Sequence, residues 1–286
     1  MSVLKGIITA PKLMIRRRRQ AGIIRKYDRQ CDSSFFSEKS SLELGYNKFS
    51  IDDLLESPGL TERMRKSDLR SLPSNGDKVY FSWEVPSFVW DAVLNSETLF
   101  KVVCDYIGRD VRLDDIYVKN VVDGYDATAE GWHNDNVGYR LKLFMVFDTD
   151  GTPSATLVRP KPRPNLYEIE YKQEFFRSFK NTDMASYHDE VIVDYTPGDC
   201  LLFDTNLQHR GSYHAAKGTR YCVIAEFMDK NKSDALRGRA PCGPGQGHRN
   251  IEMPVCLVDA INSSPLIDKR LLKQTNGKLS YGYWDC

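Results

Sequence analysis

The sequence contains no C-x-x-C pair, and its seven cysteines, at 31, 104, 200, 222, 242, 256 and 286, are scattered and odd in number. That argues against a structural zinc site and against a disulfide framework, and it predicts reduced thiols in a reducing compartment such as the cytoplasm. No apolar run reaches the ~18 residues that a membrane-crossing helix needs, and the start lacks the uninterrupted apolar core of a secretory signal. Internal repeats and low-complexity blocks are missing too, so solenoid and fibrous architectures drop out. Histidine is scarce, with five in 286 residues, so each can be weighed singly.

Acid is nearly absent from the first thirty residues, where Asp28 faces Lys5, Lys12, Arg16, Arg17, Arg18, Arg19, Arg25, Lys26 and Arg29. Taking these from the chain's 40 basic and 39 acidic residues leaves 31 against 38, or −7, for residues 31–286. The overall +1 therefore hides a basic N-terminal segment on an acidic body. With apolar pairs Ile7-Ile8 and Ile23-Ile24 interleaved, this segment reads first as a solvated arm packed on the domain. Peripheral contact with an anionic membrane through residues 1–30 is the second reading. Nucleic acid and organellar targeting share the remainder, and nucleic acid is not expected as a partner.

What is present suffices for a packed core: 41% hydrophobic residues with 28% charged describe a globular chain rather than a disordered one. Helical signals sit at Ser50-Ile51-Asp52-Asp53, after Thr61, and over residues 86–108, where apolar periodicity closes at Gly108. From residue 115 the period changes. β-rich runs cover residues 116–122, 141–147, 155–159, 191–195, 201–203 and 220–227, divided by turns such as Asp148-Thr149-Asp150-Gly151 and Pro197-Gly198-Asp199, with a helical insertion near residues 171–179. Short strands after helices predict a mainly β fold with flanking helices, a double-stranded β-helix (jelly roll, cupin-like barrel), as one domain over residues 31–286 beside the segment 1–30.

Trp132-His133-Asn134-Asp135 contains H-x-D, whose alternation along a strand sends an imidazole and a carboxylate to one side, able to grip one metal ion. Alone the motif is weak. His209 follows the run Gly198-Asp199-Cys200-Leu201-Leu202-Phe203-Asp204 and precedes the run 220–227, where a barrel could bring it alongside. Two histidines and a carboxylate with open positions suit non-haem Fe(II) better than zinc, which prefers a closed fourth ligand or a lone water.

Together, Trp132-His133-Asn134-Asp135, Pro197-Gly198-Asp199-Cys200-Leu201-Leu202-Phe203-Asp204, His209 and Arg220 resemble the phytanoyl-CoA dioxygenase family of Fe(II)/2-oxoglutarate oxygenases, over roughly residues 80–228. The resemblance implies iron held by His133, Asp135 and His209, with 2-oxoglutarate and O₂ as cosubstrates. It implies that Arg220, eleven residues after His209, binds the far carboxylate of 2-oxoglutarate, a role suited to a bidentate, permanently charged guanidinium. It also implies that Asn120, thirteen residues before His133, contacts the cosubstrate, and it makes Ser212 the nearest candidate for a hydroxyl between the distal histidine and that arginine. The expected reaction is hydroxylation of a small-molecule, lipid-linked or sugar-acid substrate with release of succinate and CO₂. A carboxylate at 135, where a halogenase leaves room for halide, favours hydroxylation.

Competing readings stay open. His214 is the rival distal ligand, though six residues from Arg220 fits the family spacing poorly; His188 with Glu190 forms an H-x-E; His248 is expected to face solvent, and residues 241–247 form a Gly-rich loop. A non-catalytic jelly-roll binding protein for a sugar or anionic ligand, and a zinc hydrolase on the same barrel, are the alternatives of other classes.

Overall fold

The computed structural model describes residues 3–30, 40–72, 84–108, 110–122, 131–135, 138–153, 155–162, 164, 186–212, 217–236 and 251–282. The helical insertion expected near residues 171–179, the loop 241–247, His214 and His248 lie outside the described residues.

A long helix α1 (Val3–Gln30) opens the chain. It is followed by β1 (Tyr46–Ser50) and the short helices α2 (Ile51–Leu54) and α3 (Leu60–Lys66). Ser50 starts α2 by accepting from Asp53 N, and the Asp52 carboxylate takes the backbone N–H groups of Gly59 and Thr61, which links α2 to α3. The periodic run over 86–108 splits into α4 (Ser87–Asn95) and α5 (Glu97–Ile107). Ser96 makes the break: its Oγ accepts from Leu99 N as the cap of α5 and donates to Leu54 O. Gly108, at φ +71°, ends α5 in the left-handed conformation.

The strands that follow are β2 (Val111–Val122), β3 (Arg140–Thr152), β4 (Thr156–Val158), β5 (Val191–Val193), β6 (Asp199–Asp204), β7 (His209–Gly211) and β8 (Lys217–Asp229). Helix α6 (Lys230–Leu236) packs on α1. At the end β9 (Ile251–Met253), α7 (Val258–Ser263), β10 (Leu272–Thr275) and β11 (Lys278–Tyr281) build a small separate sheet and its helix. The expected β runs are all present; β1, β7 and β9 to β11 are strands that the sequence reading did not find.

The main sheet is antiparallel in the order β1-β6-β3-β8-β2, and a second sheet has the order β5-β4-β7. Alternation along the main sheet supplies both of its faces. Leu141, Leu143, Met145, Cys200, Leu202, Val223 and Ala225 join a core closed by α2 to α5 and the C-terminal elements. Val146, Leu201, Phe203, Cys222 and Ile224 point the other way and meet Val158 and Val193 of the second sheet. Two antiparallel sheets face each other across that inner core, with helices outside the larger one: the jelly-roll expectation holds. Pairing of β8 with β3 needs a glycine at 218, since a Cβ there would stand 1.7 Å from Asp150 O. That close approach sits two residues before Arg220.

Candidate metal centre and anion pocket

His133 and His209 form an isolated antiparallel bridge, each N–H donating to the other's carbonyl at 3.0 and 2.8 Å. A hydrogen-bonded pair of this kind puts both side chains on one side of the ladder, and the rings lie 4.4 Å apart between centroids. Asp135 N donates to Thr205 O at 2.9 Å, which keeps the chain extended so that residues 133 and 135 project together. Nε2 of His133 comes to 3.6 Å from Asp135 Oδ1, and Nε2 of His209 to 3.9 Å from Oδ2. One ligand atom from each of the three residues lies within 4.8 Å of the others.

Whether these residues suit a cation can be decided from the imidazoles. Nδ1 of His133 contacts Gly131 O at 2.7 Å, and Nδ1 of His209 contacts Leu207 O at 3.0 Å. A carbonyl only accepts, so each Nδ1 carries a proton, and in a neutral ring Nε2 is left with its lone pair. Two such lone pairs and a carboxylate converge, an acceptor-only cluster that a divalent ion satisfies and that leaves part of its coordination sphere open.

Asp135 is pinned from two directions. Burial would raise its carboxyl, but the ammonium of Lys142, joined by the two imidazoles when they carry a second proton, outweighs that and holds it well below the usual carboxylate range. Lys142 Nζ stands 2.5 Å from Oδ2 and 3.5 Å from Glu226 Oε1. Glu226, fully buried, also accepts from Tyr117 Oη at 2.9 Å and from Arg140. With Oδ2 engaged by an ammonium, Oδ1 is the oxygen presented beside His133. From outside, Arg17 of α1 donates to Asn134 Oδ1 and to Asp135 O, both at 3.1 Å.

Arg220 points into the same interior. Its neighbours along β8, Cys222 and Ile224, belong to the inner core by alternation, and the residue is 4% exposed. Nη1 donates to Thr156 Oγ1 at 3.2 Å, Tyr195 Oη reaches the same oxygen at 2.7 Å, and the guanidinium stacks near the rings of Tyr195 and Phe144. The register of β4 and β7 sets its separation from the histidines: His209 pairs with Val158, and Gly211 with Thr156. Two residues along a strand span roughly 7 Å.

Among solved structures, HygX from Streptomyces hygroscopicus with nickel, 2-oxoglutarate and hygromycin B bound is 15% identical, matching 65% of this chain to 83% of that one with a TM-score of 0.48. The apoform of EctD from S. alaskensis is 14% identical over 69% of this chain and 82% of that one, with a TM-score of 0.40. AviO1 from Streptomyces viridochromogenes Tue57 is 19% identical over 66% and 91%, also at 0.40. The likeness is one of overall fold. No family model matches the chain, and no curated protein sequence does. The chemistry has to be read from the side chains.

Those side chains correct two expectations. Asn120 pairs with Tyr221, whereas Val121 pairs with Arg220, so Asn120 lies on the opposite face of the sheet from the arginine. Its Nδ2 donates to Leu69 O and Leu72 O at 3.3 and 3.1 Å, tying down the turn after α3. Ser212 fails for the same reason of parity: it follows Gly211 and faces out, and its Oγ accepts from Ala155 N at 2.8 Å. The hydroxyl beside Arg220 belongs instead to Thr156, on the adjoining strand. Thr156, Tyr195, Lys142, Glu226 and Arg17 are the site residues that the sequence did not disclose. The signals available were the inward parity of Lys142 in the run 141–147 and of Glu226 in the run 220–227. His188 is exposed on a turn and is not among the residues that converge with His133, Asp135 and His209; Cys104, Cys200, Cys222 and Cys256 are free thiols.

Proposed function

We propose that this chain is an Fe(II)- and 2-oxoglutarate-dependent dioxygenase of the phytanoyl-CoA dioxygenase-like kind, a hydroxylase acting on a small-molecule or lipid-linked substrate. His133, Asp135 and His209 would hold the iron, and Arg220 would bind the distal carboxylate of 2-oxoglutarate. The supporting observation is a buried guanidinium offset by two strand residues from an acceptor-only His-Asp-His cluster, inside one barrel. That offset suits a short dicarboxylate whose keto-acid end chelates the metal while its other end meets the arginine.

When bound, iron and 2-oxoglutarate supply the oxidising chemistry through which O₂ hydroxylates a C–H bond while 2-oxoglutarate becomes succinate and CO₂. The chain's own groups do the rest. Gly131 O and Leu207 O fix both imidazole tautomers. Lys142 turns the Asp135 carboxylate and limits it to one donor oxygen. Thr156 and Tyr195 hold the Arg220 fork in place, and the inner apolar core excludes water from around it. Asn120 and Ser212 take no part in this reading. The scattered, odd-numbered cysteines suit a reducing compartment such as the cytoplasm, and no described helix is long and apolar enough to cross a membrane.

Anaerobic addition of Fe(II) and then 2-oxoglutarate should produce a metal-to-ligand charge-transfer band, and candidate substrates should raise succinate output above background. A folded protein that binds Fe(II) yet yields neither band nor succinate sinks the assignment.

A further inference from the structure

We propose that the outward face of α1 is a docking surface for an anionic lipid bilayer. The helix does not present its cations indiscriminately. Arg17, Gln20, Ala21 and Ile24 are buried against the body of the protein, and Ile24 reaches the turn at Gly138 beside Lys232 of α6. At 100° per residue these four fix the inner side, and the opposite side then carries Lys12, Ile15, Arg19, Gly22 and Lys26 at alternating three- and four-residue steps. Arg16 flanks this stripe. All of these side-chain positions are exposed, with Ile15 67% exposed at the centre of the stripe. Residues 3–27 include no acid.

A row of cations around a protruding isoleucine matches the interface of an anionic bilayer: ammonium and guanidinium groups meet headgroup phosphates, and the apolar side chain enters the acyl boundary. Nucleic acid fits less well. The described outward stripe has no aromatic residue to stack on bases. Because Arg17 is bonded to the Asn134 side chain and to the backbone carbonyls of Asn134 and Asp135, the loop bearing two of the three proposed metal-binding side chains sits one helix diameter, about 10–12 Å, from the docked surface. The membrane would thus concentrate a lipid-linked substrate near the site. The docking surface itself does not depend on the iron assignment, and iron-free protein tests it.

Full-length protein is sedimented with vesicles of phosphatidylcholine alone and of phosphatidylcholine containing phosphatidylglycerol. Wild type should pellet with the anionic vesicles only, and less as salt rises. Joint replacement Arg16→Gln, Arg19→Gln and Lys26→Gln should weaken partitioning on the order of 100-fold, and Ile15→Ser should weaken it several-fold, both with unchanged melting temperature. Overturning results are wild type that ignores anionic vesicles, a triple variant that partitions like wild type, or tighter binding to short duplex DNA than to anionic vesicles at the same salt.

Discussion

Two aspartates, one on each side of the main sheet, show how its faces differ: Asp204 is fully buried and Asp135 half-buried. Asp204 ends β6 on the helix-covered face, where burial pushes its carboxyl up to about 6 against hydrogen bonds from Asn206 and Tyr106. Asp135 lines the interior between the sheets, and there an ammonium, joined by the two imidazoles when they carry a second proton, overcomes burial and drives the carboxyl down. At Asp204 the hydrogen-bond partners are neutral and burial wins; at Asp135 a directly bonded ammonium wins over burial. Among the described residues, the His/Cys/Asp/Glu group that could hold a metal ion, His133, Asp135 and His209, lies on the inner side.

The comparison breaks first at the metal ligands. His209→Ala, with its fold verified by circular dichroism, should lose Fe(II) binding and at least ~100-fold in succinate formation. Arg220→Gln comes next: removing a buried charged partner should raise the KM for 2-oxoglutarate about 100-fold while Fe(II) affinity alone stays near wild type.

The outer face is tested by pH. With a folded value near 6 and an ordinary value of 3.8, the folded state holds the Asp204 proton more tightly than the unfolded chain. Its contribution therefore lowers stability as pH rises from about 4 to about 6, by about 3 kcal/mol in all. Asp204→Asn should flatten that slope in thermal melts. Asp135 has the opposite sign: its contribution is present above pH 3.8 and is lost as pH falls through its depressed folded value.

Lys142→Met should reduce Fe(II) affinity about tenfold, the scale of a group that orients a metal ligand, with the competition titration against a chelator as readout. Smallest is Asn120→Ala, which should cost about 1–2 kcal/mol of stability through the freed carbonyls of residues 69 and 72 and leave the KM for 2-oxoglutarate unchanged. A large rise in that KM would return Asn120 to the cavity and erase the distinction between the two faces.

Much of this was legible in one dimension. H-x-D, a remote histidine and an arginine at a fixed spacing after it are sequence patterns, and so is the switch from a 3.6-residue to a two-residue period near residue 115. Asn120 and Ser212 were misassigned because spacing to a motif does not state parity. A shift of one residue sends a strand side chain to the other face, and Val121 rather than Asn120 stands opposite Arg220. Strands as short as β7, with three residues, have too few positions to show alternation.

By itself the sequence determined which side chains could bind a cation, that the first thirty residues are basic, and that alternating strands would enclose a core. Tertiary structure alone decided that Thr156 supplies the hydroxyl, that Lys142 reaches Asp135, and that one arginine of four turns inward while its neighbours stay outside. Those outcomes depend on contacts between strands and helices far apart in the chain, whose register is set by packing both faces of one sheet at once, and no local pattern encodes it.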